Sequence, residues 1–409
     1  MKYHRYKEDW VTHLEGDFRA EVLELLRGLH FERLQKYPPP KIGGLPFGNE
    51  TRVAERFIRG ESSQLDASAL SHFYRSFADE HDRLLYSAFR TSDPLPREKW
   101  AEAIGAENID KWIANKFLRE TEDGLLQAKF GIVALDGLLY LIDPLNDHGL
   151  AAQTEVLDDS EVDHSDADIQ PFHHAYIGLD SLRQIEVMSQ NRVRKGKRYL
   201  DCGQGAGAIL LYFSRRFEEA VGIDINSRAV KVANFNAELN GLANVKAYED
   251  NALELNGKYG KFDLVSWNLP FMFMPEEGKD DSIDAYGGEL GIGLCLDFIE
   301  TLPGLLADKG QACIAALAPI MTSGENVLET RLRERLPRLG LDCTVRVAQV
   351  SLAHTRELWH FHKEHGIRRF ESVYLYFKHG RGELERVEPS ISRKILDVVR
   401  EEMYKRKFA

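Results

Sequence analysis

A glycine-rich loop, Asp201-Cys-Gly-Gln-Gly-Ala-Gly207, is the stretch of this sequence best suited to bind a ligand. It follows a short apolar run at Tyr199 and Leu200 and leads into an apolar helical pattern that begins at Ala208. Its three glycines let a ligand approach the backbone closely. The pattern predicts a buried strand, a tight turn and a helix that together bind a nucleotide-like ligand.

Three more strand-like runs follow, and each of them ends in polar side chains. The run from Ala220 ends at Asp224, and an acid at such a strand end can accept hydrogen bonds from both hydroxyls of a ribose. The run from Val245 ends at Asp250-Asn251, and the run from Phe262 ends at Asn268-Leu-Pro-Phe271. These elements must place four polar strand ends beside the glycine loop.

In order and spacing these segments resemble the class I S-adenosylmethionine-dependent methyltransferases. The resemblance implies an α/β fold with a Rossmann-like, seven-stranded mixed sheet, and S-adenosylmethionine as cofactor. It implies that the glycines face the methionine part, that Asp201 holds its amino group, that Asp224 binds the ribose, and that the adenine lies at the end of the third strand. The implied cofactor-binding residues are Asp201, Gly203, Gly205, Gly207, Asp224, Asp250 and Asn251. For Asp250 and Asn251, a helix cap is the structural alternative.

Asn268-Leu-Pro-Phe271 resembles the Asn-Pro-Pro-Tyr/Phe motif of amino-group methyltransferases, in particular the small-domain and glutamine N-methyltransferases. The resemblance implies that the Asn268 side-chain oxygen and the carbonyl of Leu269 or Pro270 accept hydrogen bonds from an NH2 group, while Phe271 stacks on its flat face. Such alignment is most of what a methyl transfer requires from a protein. Leu269 departs from the motif, in which a proline usually stands at that position. A strand-ending turn with a buried aromatic side chain is the alternative.

Composition limits the classes of partner. The chain has 409 residues, a net charge of -12 and four cysteines without paired or zinc-like spacing. Broad binding to nucleic acid usually leaves a basic footprint, which this composition lacks. The charged amino-terminal stretch and the absence of a long apolar run predict a cytoplasmic protein with no membrane partner. The spacing of the cysteines, and that of His360, His362 and His365, predicts no metal site.

The chain divides by pattern into three parts. Residues 1–154 predict a mainly helical domain whose segment 94–143 resembles a winged helix, with a hairpin turn at Asp136-Gly137. Residues 155–169 are rich in acids and predict a solvated linker. Residues 170–409 then form the cofactor domain. The winged-helix-like segment is interpreted as a packing or substrate-shaping module rather than a reader of nucleic acid.

Candidate substrate contacts flank the cofactor motifs. Tyr176 belongs to a segment that resembles the stretch preceding the cofactor domain in glutamine-type methyltransferases. Glu276 and Glu277 open an acidic stretch that could hold a cationic substrate, with a solvated loop as the alternative. The insert 348–370 predicts a lid over the strand ends. The tail 390–408 predicts an amphipathic helix that covers its own domain, with homodimerisation as the alternative.

Three classes of function remain open from the sequence. The preferred one is N-methylation of a small molecule at a guanidine, amide or amine. The second is a macromolecular methyltransferase acting on a protein glutamine or a nucleobase amine. The third is a regulatory protein that binds the cofactor without turnover, which the presence of Asn268 and Pro270 disfavours.

Overall fold

The computed structural model describes residues 2–6, 9–31, 79–90, 92–143, 154–158, 169–170, 175, 177–191, 193, 195–255, 257–275, 285–351 and 356–389. In chain order the strands are β1 (Lys2–Tyr6), β2 (Leu118–Glu120), β3 (Leu126–Ala128), β4 (Gly131–Leu135), β5 (Leu138–Ile142), β6 (Thr154–Asp158), β7 (Ile169–Gln170), β8 (Gly196–Cys202), β9 (Phe217–Asp224), β10 (Val245–Glu249), β11 (Phe262–Asn268), β12 (Leu306–Met321), β13 (Leu341–Ser351), β14 (Ile367–His379) and β15 (Leu384–Val387). The α-helices are α1 (Gly16–Gly28), α2 (Glu80–Leu85), α3 (Arg97–Ile104), α4 (Ala106–Ala114), α5 (Leu179–Gln190), α6 (Ala208–Ser214), α7 (Ser227–Leu239), α8 (Gly293–Leu305), α9 (Val327–Leu339) and α10 (Arg356–Glu364).

The chain forms two compact units, and each unit consists of three separate stretches of the sequence. The first comprises Met1–Leu179, Gly205–Tyr212 and Asn226–Ala243. The second comprises Asp180–Gln204, Phe213–Ile225 and Asn244–Ala409. The predicted domain limits at 154 and 170 stay predictions.

An eight-stranded mixed sheet is the framework of the second unit, in the order β10-β9-β8-β11-β12-β14-β13-β15. The five strands from β10 to β12 are parallel to one another, β14 is antiparallel to both of its neighbours, and β15 is parallel to β13. The predicted Rossmann-like α/β class is confirmed, with one strand more than the seven expected. The additional strand, β15, lies at the edge and is only partly buried, so it lacks the apolar run by which the other strands were predicted.

Burial explains why the middle of this sheet is so apolar in sequence. All residues from Leu264 to Trp267 in β11 and from Ala312 to Ile320 in β12 are buried. Parallel strands covered on both faces have such continuous runs, whereas the edge strand β10 is exposed at alternate positions. The carboxyl ends of parallel strands meet at one edge of a sheet, which is where ligands bind in folds of this kind.

The first unit contains the segment predicted to resemble a winged helix. Helices α3 and α4 precede the strand pairs β2–β3 and β4–β5, and Asp136 and Gly137 both have positive φ at the turn of the β4–β5 hairpin, which confirms the predicted hairpin. Aromatic rings form its core, with Phe89 and Trp100 at 5.5 Å and Phe117 and Phe130 at 5.1 Å between ring centroids.

Helix α7 occupies the free edge of that hairpin. The Asn236 side chain accepts from the backbone N–H of Leu141 at 2.8 Å and donates to its carbonyl at 2.9 Å. Asn240, one turn later, makes the same pair of bonds with Leu139 at 2.8 and 2.7 Å. These two carboxamides satisfy backbone groups that an edge strand would otherwise present to another chain. The backbone of β5 is therefore hydrogen-bonded to α7 within the same unit, as expected of a packing module.

The amino-terminal part differs from the helical expectation at one place. Lys2–Tyr6 is a strand that pairs with both Thr154–Asp158 and Ile169–Gln170 in a three-stranded sheet. Both ends of the predicted acidic linker are therefore strands, and its middle, 159–168, lies outside the described residues. No helix in the described part of the chain is long and apolar enough to cross a membrane.

Candidate active site

The carboxyl ends of β8, β9, β10 and β11 bring predicted site residues to one edge of the sheet in the second unit. Asp201 in β8 is paired in register with Ser266 in β11, one position before Trp267. The Gly203 N–H donates to the Ile223 carbonyl at 2.7 Å, and the Asp250 N–H donates to the Asp224 carbonyl at 3.0 Å. These backbone bonds hold the four strand ends side by side.

Asp201 is buried and bound to a polar chain. The Ser266 hydroxyl donates to Asp201 Oδ1 at 2.5 Å and lies 2.6 Å from the Tyr199 hydroxyl. Burial, and then the negative charge of Asp201, raises the pKa of Tyr199 well above its ordinary value. Tyr199 therefore stays protonated and can donate to Ser266, which in turn fixes the direction of the Asp201 carboxylate.

The turn after Asp201 is lined by polar groups that lack protein partners. Gly203 has a φ of 57°, and a Cβ there would lie 2.6 Å from Nε1 of Trp267. Among the described residues, neither the buried indole N–H of Trp267 nor either polar atom of the buried Gln204 carboxamide has a hydrogen-bond partner. Such groups are costly to bury unless something binds them. Gln204 was missed by the sequence reasoning, although a polar residue between two loop glycines is a usable signal.

The last glycine of the loop has a packing reason of its own. In the first unit, a Cβ at Gly207 would lie 2.7 Å from Cδ1 of Leu211 and 3.4 Å from Cβ of Ala233 on helix α7. Gly205 and Gly207 both have positive φ, at 53° and 90°. The glycine at 207 thus lets the loop enter α6 close to α7, whether or not a ligand is bound.

Asp224 and the Asp250-Asn251 pair have different surroundings. Asp224 ends β9 half-buried and is followed by Ile225, which is 50% exposed. The Asp250 carboxylate accepts from Lys258 Nζ at 2.6 Å and from the Tyr259 hydroxyl at 2.9 Å. The Lys258 bond is the largest cause that lowers the pKa of Asp250.

Asn251 makes the contacts of a turn cap. Its Oδ1 accepts from the N–H of Leu253 at 3.1 Å, and its Nδ2 donates to Glu254 Oε1 at 2.8 Å. This is a turn formed by the asparagine side chain and not the helix cap given as the structural alternative, because residues 251–255 contain no helix. The adenine-binding roles of Asp250 and Asn251 stay predictions, as do the other assigned cofactor contacts.

Asn268 has one bonded and one unbonded side of its carboxamide. Nδ2 donates to Asp180 Oδ2 at 2.8 Å and to Ser181 Oγ at 3.1 Å. Because a carboxylate only accepts hydrogen bonds, the carboxamide must present its NH2 group to Asp180. Its Oδ1 is buried and has no donor among the described residues. Sequence reasoning named Asn268 but gave no reason to pair it with Asp180.

A glycine motif supports the loop that follows Asn268. Pro270 and Phe271 are half-buried. A Cβ at Gly287 would lie 2.7 Å from Cα of Phe271, and one at Gly291 would lie 2.6 Å from the Phe271 carbonyl oxygen. The Met272 backbone also bonds to Ala285 and Gly287, at 2.7 and 2.9 Å. The Gly-Gly-x-x-Gly sequence therefore permits backbone contact that holds the candidate catalytic loop.

Helix α10, in the predicted lid, contacts the same loop. His362 Nε2 is 2.8 Å from the Phe273 carbonyl oxygen, and the rings of Phe273 and Phe361 lie 4.8 Å apart between centroids. Three predicted substrate residues, Tyr176, Glu276 and Glu277, lie outside the described residues. The described His, Cys, Asp and Glu side chains form no group of three suited to hold a metal ion.

A family model described as a methyltransferase domain matches residues 193–325. A protein of Methanocaldococcus jannaschii with the provisional name protein N5-glutamine methyltransferase is 35% identical over 28% of this chain and 59% of its own length. A release factor glutamine methyltransferase of Fusobacterium nucleatum is 37% identical over 19% of this chain and 22% of its own length. This chain thus spans less than two thirds of each relative.

Among solved structures, Trm5b from Pyrococcus abyssi aligns with a TM-score of 0.40 at 15% identity, over 63% of this chain and 59% of that chain. That likeness is too distant to bear on function. The family match coincides with the strand ends and the glycine turn described above. This chain therefore contains a class I S-adenosylmethionine-dependent methyltransferase domain.

Proposed function

We propose that the protein transfers a methyl group from S-adenosylmethionine to the side-chain amide nitrogen of a glutamine in a protein substrate. The single observation that carries the proposal is the buried Oδ1 of Asn268, which has no donor among the described residues, while the NH2 group of Asn268 is bonded to Asp180 and Ser181. A hydrogen-bond acceptor fixed in this way suits the NH2 group of a substrate amide, which acts only as a hydrogen-bond donor.

The strand-end residues fit S-adenosylmethionine. The turn at Gly203 has no room for a side chain, and the buried polar atoms of Gln204 and Trp267 lack partners among the described residues, as expected where a polar ligand binds. Asp201 and Gly203 would hold the methionine part and Asp224 the ribose. When bound, the cofactor supplies a sulfonium methyl group that is already a good electrophile.

The residues of the chain then supply orientation. Asn268 Oδ1 and the carbonyl oxygen of Leu269 or Pro270 would each accept a hydrogen bond from one N–H of the substrate amide. Phe271 would lie against the plane of that amide. The nitrogen lone pair would then face the methyl group that the bound cofactor would supply. Solvent water would take the one N–H proton that the nitrogen loses as it gains the methyl group. Holding reactants in line in this way is worth several kcal/mol in general.

The choice of a protein glutamine rests on charge and on the relatives. The net charge of -12 opposes broad binding to nucleic acid. Two relatives are glutamine methyltransferases by name. The small-molecule acceptor preferred from the sequence rested on the absence of a basic stripe and on an acidic stretch, 276–284, that lies outside the described residues. The two glutamine methyltransferases give it no support.

The test is a labelling experiment with methyl-tritiated S-adenosylmethionine and a cell extract separated into protein, RNA and small molecules. Label is expected in protein, and acid hydrolysis of that protein should release labelled methylamine, because hydrolysis cleaves the amide bond of N-methylglutamine. Asn268→Ala should abolish most of the label. Glu186→Ala, which removes an exposed acid from helix α5, should leave it unchanged.

Label confined to RNA would assign the domain to a nucleobase amine instead. Label confined to small molecules would restore the interpretation preferred from the sequence. Labelled protein that yields methyl-lysine or methyl-arginine on hydrolysis would contradict the proposed acceptor while leaving the methyl transfer in place.

A further inference from the structure

We propose that Asp180 and Ser181 are positioning residues that fix the rotation of the Asn268 carboxamide. This inference rests on the proposed function, because it concerns the same acceptor atom. Both residues lie in the first turn of helix α5, and both accept from Asn268 Nδ2, at 2.8 and 3.1 Å. Nothing in the motif Asn268-Leu-Pro-Phe271 itself provides this contact.

The physical need for such a contact follows from the symmetry of a carboxamide. Rotation by half a turn about the last side-chain bond exchanges oxygen and NH2 with little change in shape. In the exchanged state Asn268 would offer hydrogens to a substrate group that also offers hydrogens. The carboxylate of Asp180 disfavours that state, because it would then face the Asn268 oxygen, and two acceptors cannot bond to each other.

Helix α5 is itself attached to the sheet beside Asn268. Gln184, one turn after Asp180, is fully buried, and its Nε2 donates to the carbonyl of Cys313 at 3.1 Å and lies 3.4 Å from the carbonyl of Trp267. Cys313 and Trp267 belong to the neighbouring strands β12 and β11. Helix α5 therefore contacts the backbone of β11 through Gln184, at the residue before Asn268, and the Asn268 side chain through Asp180, one helical turn before Gln184. This arrangement keeps Asp180 at a set distance from Asn268.

The charge of Asp180 also dictates what residue can serve at position 268. A carboxylate at 268 would lie against a second carboxylate and would have no hydrogen to share at neutral pH. An amide supplies both the donor that Asp180 requires and the acceptor that the substrate requires. Asp180 is therefore one of two reasons that this site uses asparagine, the other being the substrate.

The kinetic test is a double-mutant cycle, assayed with the substrate protein that the labelling experiment identifies. Asp180→Ala is expected to lower kcat about 10- to 100-fold, the range that misplacement of a catalytic group causes, with KM nearly unchanged. In an Asn268→Ala background the same change should have no further effect, because Asp180 acts through Asn268. Asp180→Asn keeps an acceptor and should restore part of the rate, and Glu186→Ala is the matched control on α5.

A second readout needs neither cofactor nor turnover. In protein labelled with 15N-asparagine, the side-chain NH2 signal of Asn268 is identified by its absence in Asn268→Ala. Asp180→Ala should shift that signal and leave the other asparagine NH2 signals in place. Calorimetric titration with S-adenosylhomocysteine should give the same Kd for Asp180→Ala and the unmodified protein.

Each failure has its own meaning. An unchanged Asn268 signal in Asp180→Ala, or equal rate losses in the presence and absence of Asn268, would overturn the positioning role. If Asn268→Ala keeps full activity, the proposed function fails, and the NMR result still decides whether Asp180 sets the carboxamide. A general structural defect would appear as many shifted signals and a lower Tm, and would also overturn the specific role.

Discussion

Two polar clusters in this chain, one buried and one half-buried, use similar side chains and differ in how completely their bonds are made. In the first unit, Arg228 is bound by two carboxylates: Nε lies 2.8 Å from Asp9 Oδ2, Nη1 lies 2.6 Å from Asp143 Oδ2, and Nη2 contacts the second oxygen of each acid. In the second unit, Asn268 bonds to Asp180 and Ser181 through Nδ2 alone. Its oxygen has no donor among the described residues.

The difference separates a structural cluster from the candidate active site. The carboxylates around Arg228 take further bonds, since Asp143 accepts from the Ala175 N–H at 2.7 Å and from Trp10 Nε1 at 3.3 Å. A cluster with this many internal bonds ties segments distant in sequence together and offers little to a ligand. A polar atom that is buried without a partner is costly, and the oxygen of Asn268, which has no donor in the described part of the chain, fits the bond to substrate that we propose.

The largest expected effect comes from breaking the Arg228 cluster. Arg228→Ala leaves two buried carboxylates without their cation and should lower the free energy of unfolding by about 3 to 5 kcal/mol, measured by urea denaturation. Arg83→Ala removes an exposed arginine paired with Glu80 at 3.5 Å in the same unit and should cost less than about 1 kcal/mol. Equal losses in the two variants would contradict the structural assignment of the Arg228 cluster.

A substitution at Asn268 should change the rate of methyl transfer rather than the stability of the fold. Asn268→Ala should raise the barrier to methyl transfer by about 2 to 4 kcal/mol, with Tm and the Kd for S-adenosylhomocysteine nearly unchanged. Asp224→Ala should instead weaken cofactor binding by about 1.5 to 3 kcal/mol, measured by calorimetry. If both variants lose binding and rate alike, this division between cofactor and acceptor residues is wrong.

A pH profile sharpens the contrast further. In Asn268→Asp the new carboxyl group lies beside Asp180, and two such groups hold one proton in common to higher pH than an isolated carboxyl group. The protonated pair restores a hydrogen bond like that of the amide, so the activity of this variant should rise as pH falls below neutrality, relative to the unmodified protein. A parallel pH profile for the two proteins would show that the Asp180 contact is unimportant.

The smallest effect is expected at the end of β10, where Asp250 is engaged at the surface. The lowered pKa of Asp250 means that its bonds stabilise the fold above the ordinary carboxyl pKa and are lost as pH falls through the lowered value. Lys258→Met removes the largest cause of that shift, while the bond from Tyr259 remains. Urea midpoints at about pH 6 and pH 3 should therefore differ slightly less in this variant. A larger change than that of Arg228→Ala would contradict the assignment of Lys258 to the surface.

Much of the site could be predicted because its signals are local. The glycines after β8, the acid that ends β9 and the Asn-x-Pro-Phe run after β11 each lie within a few residues of a buried apolar strand. Other residues were harder to assign. Gln204 lies within the glycine loop and Trp267 within β11, and neither was singled out, because only the fold shows that their polar atoms are buried without partners in the described part of the chain. The edge strand β15 has too little buried surface to show a pattern.

From β8 to β14, the sequence by itself determined the order of strands and turns, and hence the type of polar residue at each strand end. It did so because period, burial and turn chemistry are read from neighbouring residues. Only the tertiary structure decided that Asp180 meets Asn268 across 88 positions of sequence and that Asp9 meets Arg228 across 219. Such contacts depend on which strands and helices become neighbours and in what register, and that outcome is set by packing of the whole unit rather than by any local pattern.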